Sequence, residues 1–229
     1  MRRHPQRILG PRWLFLRWLF LLQLLLLSGA FTKVLVSAVY REWENSDAPA
    51  WAVDPAVMEK YGYSVFLYQK LDPTKPNYFG FNRGAEAGTY FKYIVDFYDN
   101  FPDVAIFVHA DPSVHSTHWL ERIGCLSPNV SYMSINNQHW VTRSPSYWKK
   151  IELWNEQCWR DTLQIAWGLE SDDAEFHRRL PPQQDIIASA QCCNQFAVSR
   201  AQIRSRPIRM WKQLLNIFGL QTKLGTLLS

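Results

Sequence analysis

Residues 84–111 read GAEAGTYFKYIVDFYDNFPDVAIFVHAD, and a change of period inside this stretch decides the fold. Ala87, Tyr90, Phe91, Ile94, Val95 and Tyr98 recur at steps of three and four, the spacing of one apolar stripe on a helix. Glu86, Lys92, Asp96 and Asp99 fall mostly on the other side. Asn100 and Pro102 stop the helix, since proline lacks the N–H a helix needs and its ring clashes with the turn before it. Residues 105–109 (AIFVH) then form an apolar run of strand length. Working outward, residues 34–40 (VLVSAVY) and 64–69 (SVFLYQ) read as two earlier strands, being short, apolar and rich in β-branched or aromatic side chains. Residues 41–55 are polar, with two prolines, and read as loop or short helix. Asp72-Pro73 and Lys75-Pro76-Asn77 punctuate a loop that runs to Arg83. Strand, helix and strand in alternation predict a single α/β domain with a largely parallel central sheet flanked by helices.

The second half carries weaker signals. Trp148, Ile151, Trp154, Trp159 and Leu163 mark an amphipathic helix, and Leu180-Pro181-Pro182 breaks the chain. Residues 194–199 (NQFAVS) predict a strand or strand-like turn, with Ser199 capping a short helix. Pro207 suits the first position of the next helix, which ends before Gly219. The five tryptophans from Trp140 to Trp167 fill a core in the first reading and offer a flat platform to a sugar face in the second.

With 47% hydrophobic and 20% charged residues over 229 positions, the chain has enough apolar surface to fold, which excludes wholesale disorder. The net charge of +5 is misleading. Arg2, Arg3, Arg7, Arg12 and Arg17 precede any acid, and residues 186–229 hold six basic groups and no acid, while 31–185 hold 14 basic against 20 acidic. Excess charge at the two ends is not the basic face of a nucleic-acid binder, so nucleic acid is not an expected partner.

The arginines lead into an apolar run over residues 13–27, broken by Arg17 and Gln23 and followed by Ser28-Gly29-Ala30. That is the layout of a signal peptide. Retained, the same run serves as a membrane anchor with the following domain lumenal. Either way residues 31–219 are expected in the secretory pathway, as secreted protein or as a single-pass type II protein of the Golgi or endoplasmic reticulum, with 220–229 as a tail. Asn129-Val130-Ser131 is a glycosylation sequon. Cys125, Cys158, Cys192 and Cys193 are even in number and permit one or two disulfides. Cys192 and Cys193 pair more easily with the other two than with each other, because a vicinal bridge is strained. No C-x-x-C spacing exists for zinc.

In parallel α/β sheets ligands bind beyond the carboxyl ends of the strands. Here that position holds His109, Asp111, His115 and His118 within ten residues. Asp111 and His109 are the expected holders of a divalent cation, Mn²⁺ or Mg²⁺, and His115 an expected catalytic group. Asn82 and Arg83 precede the long helix, where backbone N–H groups favour anions, and Arg83 offers a fork to phosphate. Glu86 is the candidate base or hydroxyl acceptor, and Trp119, just after the histidine-rich loop, a candidate substrate contact. The plainer roles are that Asp111 caps the next turn, Glu86 complements the helix dipole and the histidines are surface polar groups. No dinucleotide fingerprint, P-loop or nucleophile elbow is present.

Tyr68-Gln69-Lys70, Asn82-x-Gly84-x-Glu86 with Thr89-Tyr90, Tyr98-Asp99-Asn100-x-Pro102-Asp103, the run 107–115, and Gln195-Phe196-Ala197-Val198-Ser199-Arg200 with Arg206-Pro207 together resemble an uncharacterised family, domain of unknown function 3431. The likeness covers roughly residues 34–218 and is most specific over 82–115. More distantly the layout resembles the glycosyltransferase A fold, in which a strand end carries an Asp-x-Asp-type metal motif; His109-Ala110-Asp111 stands at that place. The resemblance implies transfer of a sugar from a nucleotide-sugar donor to a glycan acceptor with a metal on the diphosphate. The alternatives are a non-catalytic glycan-binding protein and a metal-dependent hydrolase built on His109, Asp111, His115 and His118.

Overall fold

A computed structural model of the chain describes residues 31–44, 46–80, 85–136, 140–143, 165, 188–191 and 194–217. The described residues from Thr32 onward belong to one compact unit. The expected leader over 1–30, the helix over 148–163, the break at Leu180 and the tail over 220–229 lie outside the described residues. Among the described residues no helix is long and apolar enough to cross a membrane.

The elements run β1 (Lys33–Val39), α1 (Ala50–Val53), α2 (Pro55–Tyr61), β2 (Ser64–Gln69), α3 (Ala85–Phe97), β3 (Val104–Val108), α4 (Trp119–Gly124), β4 (Tyr132–Ser134), β5 (Trp140–Arg143), β6 (Ala188–Gln191), β7 (Phe196–Ser199), α5 (Arg200–Arg204) and α6 (Ile208–Leu215). Five strands make the main sheet in the order β2-β1-β3-β7-β4, while β5 and β6 pair as a separate antiparallel ribbon. β1 pairs in parallel with β2 and with β3, but β7 runs antiparallel between β3 and β4. Among the described residues β2, β1, β3 and β4 thus share one direction, as expected of a largely parallel sheet, and β7 alone runs against them, which makes the sheet mixed. Periodicity found the 194–199 strand but carries no information on direction, which is set by where the chain returns after the excursion through β5 and β6.

β3 is buried at every position, as expected of a central strand covered on both faces. Its side chains alternate. Phe107 and Ala105, with Val36 of β1, meet Tyr90, Tyr93 and Ile94 of α3 in one cluster. Burying each of these large side chains stabilises the fold by about 1.5–3 kcal/mol. Tyr93 makes ring contacts with Phe66, Phe97, Phe101 and Phe107, so Tyr93→Ala is the single change that would open this layer. The buried stripe is turned relative to the one read from the sequence. Tyr93 is 2% exposed, and Phe91 and Val95 are only partly buried. Glu86, seven residues before Tyr93, lies on the inward side rather than the outer one.

The other face is tied down by Lys33, whose Nζ donates to the carbonyls of Tyr61 (2.8 Å) and Ile123 (3.1 Å) near the ends of α2 and α4. A cation at helix C-termini satisfies their orphan carbonyls. α2 starts where Asp54 accepts from the Ala56 N–H (2.8 Å) with Pro55 in the first turn, and stops at Gly62 in the left-handed region (φ 66°). Ser199 caps α5 by accepting from Gln202 N (3.2 Å), as its place before the helix predicts. Pro207 stands at the N-cap of α6, one place before the first helical residue.

Two of the resembling blocks lock together at the amino end of β3. Asp103 accepts from the Thr32 backbone (2.8 Å) and pairs with Arg200 (3.1 Å). Arg204 donates to Asp99 O (2.6 Å), and Tyr98 donates its hydroxyl to Arg206 O (2.7 Å). Those residues hold α5 and the α3–β3 turn in place, at the sheet edge opposite the strand carboxyl ends.

Candidate functional site

Register places the site. In the β1/β2 pair Val39 stands opposite Gln69, and in the β1/β3 pair Ser37 stands opposite Val108. The residues that follow, Tyr40, Lys70 and His109, therefore emerge at one rim. A cleft of about 250 Å³ opens there, lined by Ala38, Tyr40, Glu42, Lys70, Glu86, His109, Ala110, Asp111, Val114 and His115. Four of the eight residues singled out in the sequence, Glu86, His109, Asp111 and His115, meet in this one cleft.

Glu86, in the first turn of α3, reaches across to β3, its Oε1 lying 3.1 Å from Nδ1 of His109. The hydrogen bond to His109 holds the Glu86 carboxyl below its ordinary range, against the opposing effect of burial. The His109 and His115 rings lie 4.8 Å apart, tilted by 50°. Desolvation first, and His109 second, push His115 below the ordinary imidazole value, which keeps it uncharged at neutral pH.

A buried amide network holds the loop that carries these groups. Gln195, 1% exposed, accepts from the His109 backbone N–H (3.2 Å) and donates to Pro112 O (3.3 Å) and Asn136 Oδ1 (2.9 Å). One side chain from the β7 approach thus fixes both ends of the 109–112 turn. Asp111 precedes a 3-10 turn over Pro112–Val114 without capping it through its side chain, so the simple capping role does not apply.

Lys70 was not assigned a role from the sequence. It is 4% exposed, and its ammonium lies 4.4 Å from the Phe79 ring centroid with no hydrogen-bond partner among the described residues. Burial lowers its pKa to about 8, offset in part by Glu86. The signal that could have found it was positional, because Lys70 is the first residue beyond β2, at the carboxyl rim. Glu42, also unassigned before, lines the cleft and accepts from the Tyr40 N–H (2.6 Å).

The remaining expectations fare differently. Trp119 is corrected to a core residue. It is 3% exposed, packs edge-on against Trp51 at 5.6 Å, and does not line the cleft. The first turn of α4 directs it inward, where a large apolar ring is most stable. His118 sits at the N-cap of α4, off the cleft. Asn82 and Arg83 lie outside the described residues, as do Cys158, Cys192 and Cys193; Cys125 is free and exposed. Among the described residues no three of His, Cys, Asp and Glu converge as a metal-binding group, and Nδ1 of His109 is turned to Glu86. A closed protein cage is thus absent there. Asp111 in the open cleft fits the other way of holding Mg²⁺ or Mn²⁺, through one or two carboxylates with substrate phosphates supplying further ligands.

No curated protein and no solved structure matches this chain. Residues 41–226 match the family described as protein of unknown function, DUF3431, a span that takes in every cleft residue but Ala38 and Tyr40 and both interlocking motif blocks, and the chain belongs to that family.

Proposed function

We propose that this protein is a glycosyltransferase-like enzyme that uses the carboxyl-rim cleft to move a sugar from a nucleotide-sugar donor to a hydroxyl of a glycan acceptor. The observation that carries the reading is the gathering of Glu86, His109, Asp111 and His115 in one cleft beyond the ends of β1, β2 and β3. The acceptor oxygen attacks the anomeric carbon as the bond to the diphosphate breaks. His115, uncharged at neutral pH, takes the acceptor proton. Glu86 is a poor base because its carboxyl is held ionised. It orients His109 and accepts a hydrogen bond from a sugar hydroxyl. A divalent ion held by Asp111 and the donor phosphates would neutralise charge on the departing diphosphate. On this reading the arginine-led segment over residues 1–30 delivers the domain to the lumen of the secretory pathway.

Calorimetry with uridine and guanosine diphosphates, with and without Mn²⁺, tests the proposal. Binding that needs the ion and is lost in Asp111→Ala is the expected result, followed by turnover of a nucleotide-sugar panel. Absence of nucleotide binding under every ion condition would remove it.

A further inference from the structure

Among the described residues Lys70 carries the buried ammonium that has no hydrogen-bond partner. Its side chain leaves the end of β2 and lines the cleft, yet only 4% of the residue is exposed. Its ammonium has three N–H donors and no hydrogen-bond partner among the described residues. The backbone is committed to holding it there. Lys70 N donates to Val39 O (3.2 Å), and the loop after β2 folds back so that Phe79 N donates to Gln69 O (2.9 Å), setting the Phe79 ring beneath the ammonium. A cation over an aromatic face gains some attraction, but the ring accepts no strong hydrogen bond. The ammonium remains desolvated and under-satisfied.

The neighbouring charges do not supply the missing partner. Glu86 attracts Lys70 at a distance, but its carboxylate is engaged with His109. Glu42 is engaged by the Tyr40 N–H. Asp111 and the His109 and His115 rings line the same cleft, reached from β3 rather than β2. Lys92, whose ammonium lies 5.9 Å from the Phe79 ring centroid, is engaged with Asp96 (2.6 Å), which also accepts from the Tyr68 hydroxyl (3.0 Å). With those groups engaged among the described residues, the cleft that Lys70 lines is where an oxygen can reach it.

We infer that Lys70 receives a phosphate oxygen of the bound substrate, so that the cleft grips a diphosphate between this ammonium and a divalent ion at Asp111. The inference deepens the nucleotide-sugar reading and rests on it for the ion. The ion matters because Glu42, Glu86 and Asp111 together outweigh Lys70 in charge, and a phosphate enters such a cleft with a cation. Lys70 then supplies a fixed donor from the β2 side, while among the described residues the other basic side chains of the cleft, His109 and His115, come from the end of β3 and the loop after it.

Inorganic pyrophosphate with Mn²⁺ is the probe, titrated calorimetrically into the full chain from pH 6.5 to 9.5. Wild type is expected to bind, with affinity falling as pH rises through about 8, where the ammonium loses its proton. Lys70→Met is expected to weaken binding by about ten- to a hundredfold, the worth of a charge-assisted hydrogen bond, with an unchanged far-ultraviolet circular dichroism spectrum. Lys70→Arg, which keeps the charge, is expected to retain binding and to lose the fall above pH 8. Should Lys70→Met not fold, the pH profile of Lys70→Arg decides alone. Equal affinity in wild type and Lys70→Met, an unaltered fall in Lys70→Arg, or no pyrophosphate binding by wild type each overturns the inference. The two readings fail separately. Lys70-dependent pyrophosphate binding without nucleotide-sugar turnover leaves this inference standing and removes the transferase. Turnover with the same KM in Lys70→Met does the reverse.

Discussion

The carboxylate of Glu86 and the Nδ1 of His109 lie 3.1 Å apart, joining the first turn of α3 to the residue just beyond β3. The contact bridges the two elements that frame the cleft. Because the Glu86 carboxyl is held below its ordinary value, the stability it contributes is present above the unfolded carboxyl range and is lost as pH falls through the lower folded value. Glu86→Gln is expected to cost about 0.5–1.5 kcal/mol near neutral pH and nothing in acid below the folded value. Urea unfolding of both proteins between pH 2.5 and 7 measures the difference. A gap that stays constant over that range would show that the carboxylate charge is not what stabilises.

Gln195 serves three partners at once, two of them buried, so its loss removes the acceptor it offers the His109 N–H and the donor it offers Pro112 O and Asn136 Oδ1. Gln195→Leu, similar in size, is expected to destabilise by about 2–4 kcal/mol, since each unsatisfied buried group costs about 1–3 kcal/mol. It should also loosen the 109–112 turn and lower ligand affinity, while Gln195→Glu at low pH recovers part of both. Denaturant midpoints beside calorimetric affinities check this. Full stability in Gln195→Leu would mean that the network is replaceable by packing.

Trp119 separates packing from recognition. Buried against Trp51, it should cost about 3–5 kcal/mol when changed to alanine, while Trp119→Phe keeps most of the stability and all of the ligand affinity. A Trp119→Phe protein that stays folded but binds nucleotide several-fold more weakly would return this residue to the site.

Asn129 is exposed in the turn between α4 and β4, where Val130 N donates to Ser127 O (3.0 Å). Such a turn presents a sequon to the glycosylation machinery. Full-length chain expressed in eukaryotic cells should lose mass on glycosidase treatment, and Ser131→Ala should remove the shift. An unmodified wild-type chain would count against lumenal delivery by the segment over residues 1–30.

Local chemistry was legible in the sequence where it acts over a few residues. β2 falls at the boundaries read from the pattern, α3 begins and ends within about one residue of them, and the Ser199 cap forms as its spacing implies. The chemistry-bearing cluster beyond β3 was legible for the same reason, since a strand end followed by His109, Asp111 and His115 lies within a few residues of chain. Trp119 was misplaced because proximity in sequence to that cluster says nothing about which way the first turn of α4 faces. Lys70 went unassigned because its significance depends on what surrounds it. A lysine after a strand is ordinary until a folded-back loop and a helix close over it.

The sequence by itself determined that α3 is a helix, the strands on either side and the residue types at the carboxyl rim, because turn chemistry and apolar period are properties of neighbouring residues. Only the tertiary structure decided that β7 runs against its neighbours, that Glu86 faces inward to meet His109, that Gln195 holds the turn from 86 residues away, and that Lys70 has no hydrogen-bond partner among the described residues. Those outcomes depend on contacts between segments far apart in the chain, where direction, burial and the presence of a hydrogen-bond acceptor are fixed by packing.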